Sequence, residues 1–285
     1  MYSVRVKAVG AVLAVLLVLV LVPGVGRADT EPPADTRAPV VVLGPMDCEE
    51  STIAGTLEDA EVTTCGGYVF TAGTLDGYPV VSVRCLVGMV NAAAATTLAI
   101  ERFHPCCVII QGTSGGHDPA RHQGDIILGA DIIEVGHYHS PHRDEGTGSD
   151  YTAWEYPGEE ILEDGEIVSV RVLHSDASLL EIAGSVSYAG GQLVRGTVGS
   201  ADNWNKEIDR INFLHETLGS DCEEMEGFAV AQVCRQFGVP CLVIRIISNS
   251  ELYPEELFSE QFGVDCQYYT LDVMRAIIAR LASRR

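Results

Sequence analysis

The groups in this chain best able to do chemistry are carboxylates that lie far apart in the sequence. Glu224-Met225-Glu226-Gly227 sets two acids and a thioether at the start of an expected helix. One helix later, Arg245-Ile246-Ile247-Ser248-Asn249-Ser250 ends an expected buried strand on polar groups. Carboxylates accept hydrogen bonds from hydroxyls, and methionine packs against the apolar face of a sugar. Together these two runs can surround a small polar ligand. The bland alternative for the first run is an acid-rich helix start favoured by the helix dipole.

Asp47, Glu49 and Glu50 follow the first apolar run. A partly buried carboxylate there can take a proton from water, while a solvated acidic helix start is the alternative. Gly112-Thr113-Ser114-Gly115-Gly116 follows another buried run and reads as a glycine-rich turn. Its small residues let backbone N–H groups and hydroxyls approach a ligand. It is neither a Walker A loop nor a dinucleotide fingerprint, since the lysine and the spacing are absent. His137, His139 and His142 surround Tyr138, either as a loop at a pocket mouth or as metal ligands, though the spacing fits no specific template. Trp204, in Asp202-Asn203-Trp204-Asn205, either stacks on a flat ligand or covers a core edge. There is no helical His-Glu-x-x-His and no clear cysteine–histidine nucleophile pattern.

Alternating elements must position these groups. Strands are expected at Pro39–Leu43, Tyr68–Ala72, Val80–Cys85, Cys107–Gln111, Ile126–Leu128, Ile132–Val135, Leu193–Val198 and Cys241–Ile247, with a hairpin at Asp76-Gly77. Helices are expected at Asn91–Arg102, Glu223–Phe237 and residues 265–282. Asp221 and Glu224 have capping-box spacing for the second helix, and Gly238 would close it. Residues 140–165 read as a long loop, and Ile167–Leu180 fits helix or strand. The alternation predicts an α/β fold, a three-layer αβα sandwich with a mixed central sheet, in a single domain over residues 39–285.

Residues 1–28 read as a secretory signal peptide: Arg5 and Lys7, the apolar run Ala8–Val22, then Pro23-Gly24 and small residues near Ala28. That run is about fifteen residues, short of the roughly twenty a spanning helix needs, so no stable membrane anchor is expected. Residues 29–38 read as a flexible leader, and the expected location is secreted or periplasmic. The formal charge of −22 repels phosphate backbones and argues against nucleic acid as a partner. Nine cysteines behind a signal peptide suggest disulfides, yet Cys234 and Cys241 sit in apolar runs and read equally as small buried hydrophobes.

In order, several runs carry a resemblance. They are Leu43–Glu49, Gly66–Gly73 with Gly77, Gln111–Gly116, Gly124–Ile127, Glu224–Gly227 and Val239–Ser248. Over residues 40–280 the chain resembles the 5′-methylthioadenosine/S-adenosylhomocysteine nucleosidases of the nucleoside phosphorylase superfamily. The resemblance implies a homodimer that hydrolyses the ribosyl–base bond of purine nucleosides without metal or organic cofactor. It makes Glu49 the water activator, Glu226 the holder of the ribose hydroxyls and Met225 the residue against the sugar. Gly112 and Thr113 would lie near the reacting centre, and Trp204 against the base. Asn249 falls where the nucleosidases carry an aspartic acid that protonates the purine. An amide delivers no proton, but it offers N–H and C=O at fixed positions, which suits a 6-oxopurine. Related phosphorylases carry arginines where this chain has Gln111 and the acidic Asp47–Glu50 run, leaving Arg84 as the one nearby candidate for phosphate. Water is therefore the expected acceptor; phosphorolysis, or nucleoside binding without turnover, is the alternative.

Overall fold

A computed structural model describes residues 37–163 and 165–283. The expected signal segment and most of the leader lie outside the described residues. The two leader residues inside them are held: Arg37 donates to the Gly77 carbonyl at 2.5 Å, and Tyr78 to the Ala38 carbonyl at 3.1 Å.

The chain opens with β1 (Val40–Gly44) and α1 (Ser51–Thr56), then a meander of β2 (Glu58–Cys65), β3 (Tyr68–Leu75) and β4 (Tyr78–Arg84). Next come α2 (Met89–Phe103), β5 (Cys107–Gly116) and β6 (Ile126–Glu134). β7 (Glu159–Glu163) and β8 (Glu166–Val170) form a separate hairpin sheet. β9 (Val172–His174), α3 (Ala177–Ser185), β10 (Leu193–Ser200), α4 (Ile208–Leu218) and β11 (Cys222–Glu224) follow. The chain ends with α5 (Gly227–Phe237), β12 (Cys241–Asn249) and α6 (Glu260–Ala282).

The central sheet runs β11-β10-β6-β12-β5-β1-β4-β3-β2 and mixes parallel with antiparallel pairs. β11 also pairs antiparallel with β5, so that end of the sheet curls round and closes on itself. Strand alternation sorts the core into two layers. Val41 and Leu43 join α2 and α5 on one face, while Val40 and Val42 join α3 and α6 on the other. Each fully buried Val, Leu or Ile side chain contributes about 1.5–3 kcal/mol. No helix among the described residues is long and apolar enough to cross a membrane.

Several local expectations change. The glycine-rich segment is not a turn: β5 continues through it to Gly116, because β12 pairs Gly112 through Gly115 and β11 pairs Gly115 and Gly116. The two strands expected around Gly129 are one, β6. The ambiguous stretch after residue 166 holds both types, with β8 and β9 leading into α3. Residues 222–224 are strand, and α5 begins only at Gly227. Asp221 does not cap α5; its carboxylate accepts from the Thr197 amide at 2.8 Å. Glu224 takes the capping role, accepting from the Glu226 and Gly227 amides at 3.0 and 2.7 Å. Gly238 does close α5, with φ of 67°. None of the nine cysteines is bridged, and six are buried. Burial and the adjacent Glu226 push the Cys85 thiol up, and burial pushes Cys266 up to about 12. Both behave as neutral packing groups.

Candidate functional site

Glu49 sits in a short 3-10 turn between β1 and α1. It is 1% exposed. Its Oε1 accepts from the Thr113 amide at 2.6 Å and the Thr113 hydroxyl at 2.7 Å, and its Oε2 from the Met46 amide at 3.0 Å. Gln111 lies wholly inside and donates from Nε2 to the Glu49 carbonyl. The carboxylate is thus aimed from two sides. Thr113, expected to face substrate, spends its hydroxyl on Glu49.

Gly112 explains how the acids meet. A Cβ there would lie 2.7 Å from Glu49 Oε1 and 2.8 Å from Arg245 Nη1. Only a residue without a side chain lets the guanidinium and the Glu49 carboxylate close over the same stretch of β5. Arg245 projects from the middle of β12 and is 1% exposed. Its Nη2 donates to Glu224, and to Glu226 Oε2 at 3.2 Å. Glu226 Oε1 accepts from the Gly88 amide, just before α2, at 3.0 Å. Three distant segments therefore bring Glu49, Arg245, Glu224 and Glu226 into one buried cluster. Sequence reasoning passed over Arg245, although a lone arginine inside Cys241–Ile247 had to find partners: an unpaired buried charge is prohibitively costly.

The cluster carries three carboxylates against one guanidinium, and its electrostatics follow. Burial lowers the Arg245 proton affinity, but Glu224, Glu226 and Glu49 outweigh it and hold that affinity above the ordinary value. Burial pushes Glu226 up to about 8; Arg245 opposes the rise, and Glu224 and Glu49 add to it. Glu49, the expected water activator, thus lies close enough to affect the charge of Glu226, the expected ribose holder. Met225 lies half-buried between Glu224 and Glu226 in the chain.

A second polar group forms across Gly115. The position of a Gly115 Cβ is 3.7 Å from Asn249 Nδ2 and 3.6 Å from Glu223 Cγ. Asn249 is buried at the end of β12, and its Oδ1 accepts from the Ser248 hydroxyl at 3.0 Å. Glu223 accepts from the Asn205 amide at 2.7 Å and also from the Asn205 side chain. That contact anchors the loop bearing Trp204. The indole itself is 52% exposed, edge-on to Phe258 with ring centroids 6.2 Å apart, and Lys206 lies over it. Trp204 stands at a rim rather than in the buried cluster.

Other candidates fall away. Residues 112–116 have Gly-x-Ser-x-Gly spacing, but they lie in a paired strand and Ser114 donates to the Ile246 carbonyl at 3.1 Å, so no nucleophile elbow exists. His137 pairs with Glu159 at 2.7 Å, and the exposed His142 lies near Asp144. No group of three or more His, Cys, Asp or Glu among the described residues could hold a metal ion. Arg84 is engaged by Asp47 at 2.5 Å.

Comparison with known proteins places the chain in a family. The family model described as the phosphorylase superfamily matches residues 39–274. The 5′-methylthioadenosine/S-adenosylhomocysteine nucleosidase of Bacillus licheniformis is 29% identical over 246 residues, 85% of this chain and 99% of its own length. That of Geobacillus kaustophilus is 28% identical over 86% of this chain and 98% of its own. Among solved structures, the Colwellia psychrerythraea nucleosidase in complex with adenine is 26% identical, with a TM-score of 0.67 over 84% of this chain and 95% of that one. The futalosine hydrolase of Helicobacter pylori shares the fold at 24% identity, with a TM-score of 0.68 over 83% of this chain and 97% of that one. A family match spanning almost the whole described fold means that this chain belongs to the phosphorylase superfamily.

Proposed function

We propose that this chain is a purine nucleoside N-glycosidase that hydrolyses the ribosyl–base bond, similar to methylthioadenosine/adenosylhomocysteine nucleosidase. The observation that carries the reading is the convergence of Glu49 and Glu226 on Arg245, the first across Gly112 and the second by a direct hydrogen bond. Breaking an N-glycosidic bond develops positive charge on the sugar and negative charge on the base, as in other glycoside cleavage. Glu49, aimed by Thr113 and Met46, takes a proton from the attacking water and stabilises the sugar charge. Glu226 accepts from the ribose hydroxyls. Asn249 offers its amide at the base end, which suits a 6-oxopurine.

Water is the acceptor in this reading because the cations near Glu49 are already matched. Arg84 pairs with Asp47, Arg245 with two carboxylates, and Gln111 is spent on the backbone. A phosphate dianion needs unmatched arginine or lysine. The reading also includes a homodimer and a secreted or periplasmic protein with residues 1–28 removed. The nucleosidase relatives support hydrolysis. The test is incubation with methylthioadenosine, adenosine and inosine, with and without phosphate. Free base released without phosphate supports hydrolysis. Strict phosphate dependence refutes it, and tight binding without turnover makes the chain a nucleoside-binding protein.

A further inference from the structure

Asn249 leaves the base end without an acid of its own, yet two buried titratable groups lie beside it with no role in the chemistry so far. Glu223 flanks Gly115 opposite Asn249, with Oε1 3.9 Å from the Gly115 Cβ position. His117, just beyond the end of β5, is 1% exposed. Its Nε2 lies 3.4 Å from Glu223 Oε2, an ion-pair separation, and has no hydrogen-bond partner among the described residues.

Hydrogen-bond logic fixes the protons. Ser220 donates its single hydroxyl proton to the Cys222 carbonyl at 2.9 Å. The same oxygen lies 3.2 Å from His117 Nδ1 and can only accept there, so Nδ1 carries a proton. A neutral imidazole with its proton on Nδ1 would aim a lone pair from Nε2 at a carboxylate. Two acceptors sealed from water at that distance repel each other, and one further proton between Nε2 and Glu223 removes the conflict. The pair is thus a store of one proton beside the leaving-base position.

We propose that Glu223, resupplied by His117, is the acid that protonates the leaving base. The inference rests on the hydrolase reading above. The C1′–N bond breaks and its electron pair goes to the base. The one stored proton passes by way of Glu223 to a base nitrogen, leaving a neutral His117 and a Glu223 carboxylate. Water bonds to C1′ and gives its proton to Glu49, which releases it to solvent, and His117 regains a proton from solvent. Atoms and charge balance over the cycle. The other titratable groups around the pair are engaged elsewhere. Glu224 binds Arg245, His215 approaches Asp118 and Asp221, and Lys206 faces Glu251.

The experiment compares two ribosides. A purine nucleoside needs its base protonated, whereas 4-nitrophenyl riboside releases a stable phenolate without an acid. Glu223→Gln is expected to lower kcat/KM for inosine by roughly 10²–10⁴-fold, the usual worth of a positioned acid, and to leave nitrophenyl riboside cleavage nearly unchanged. His117→Gln, changing the positioning residue, should show the same selectivity to a smaller degree. Asn205→Ala frees the Trp204 loop and removes one hydrogen bond to Glu223 but no proton-carrying group, and should depress both substrates alike. If Glu223→Gln lowers both substrates equally, as Asn205→Ala does, Glu223 is only a loop anchor and the proposal fails. It fails too if neither rate moves. A wild-type chain that cleaves nitrophenyl riboside but no purine nucleoside overturns the acid while keeping the hydrolase; one that cleaves neither overturns both.

Discussion

At the proposed ribose end each carboxylate is held by donors from other parts of the chain, and one arginine ties the set together. At the proposed base end two polar side chains flank a single glycine, and Trp204 sits exposed on the loop that Glu223 anchors. The first region is over-determined: Glu49 takes three hydrogen bonds, and Glu226 is gripped by Arg245 and the Gly88 amide. The second rests on Asn205, Ser248 and a histidine contact. Sugar chemistry demands fixed charges, so its scaffold tolerates little change. Base recognition depends on which groups edge a flat ring, and it can vary while the sugar end stays in place.

The sharpest way to break this comparison is at Glu49. Glu49→Gln should lower base release by roughly 10²–10⁴-fold and also lower the melting temperature, because its N–H₂ must face the Thr113 or the Met46 amide donor; a fully active variant would remove its role with water. Arg245→Met strips the counter-charge from Glu224 and Glu226, both buried. A loss of about 3–5 kcal/mol in unfolding free energy is expected, read by chemical denaturation. A stability change below about 1 kcal/mol, the range of exposed pairs, would show that the cluster is not the rigid half.

The base end should respond in selectivity rather than stability. Asn249→Asp adds an acid beside Glu223 and should raise the adenosine-to-inosine ratio of kcat/KM on the order of tenfold, less than a full acid effect because Glu223 remains. An unchanged ratio would count against Asn249 as a base reader. The subtlest test is pH. Glu226 accepts ribose hydroxyls as a carboxylate, so kcat/KM should climb with pH to a midpoint near 8. Glu224→Gln removes a neighbour that raises Glu226, and the limb should move to lower pH. The sign for stability is opposite. The folded state holds the Glu226 proton more tightly than the unfolded chain, so this contribution is full below the ordinary carboxylate range and is lost as pH rises through about 8.

The sequence by itself determined the layered α/β fold, because apolar strand runs and amphipathic helices alternate with turn residues between them. It also offered Glu49, Glu226 and Asn249 as candidates, and their roles came from the family resemblance rather than from the residues alone. What only the tertiary structure decided is which groups face one another. The glycine-rich segment reads as a turn by composition and is a strand because neighbours on both edges supply its hydrogen bonds. Glu223-Glu224 reads as the start of a helix and belongs to a strand because β10 and β5 claim it. Arg245, Glu223 and His117 carry no motif. Their roles come from burial and from partners up to 132 residues away in the chain. Local propensity acts over a few residues, whereas the cost of an unpaired buried charge is settled only when distant strands close around it.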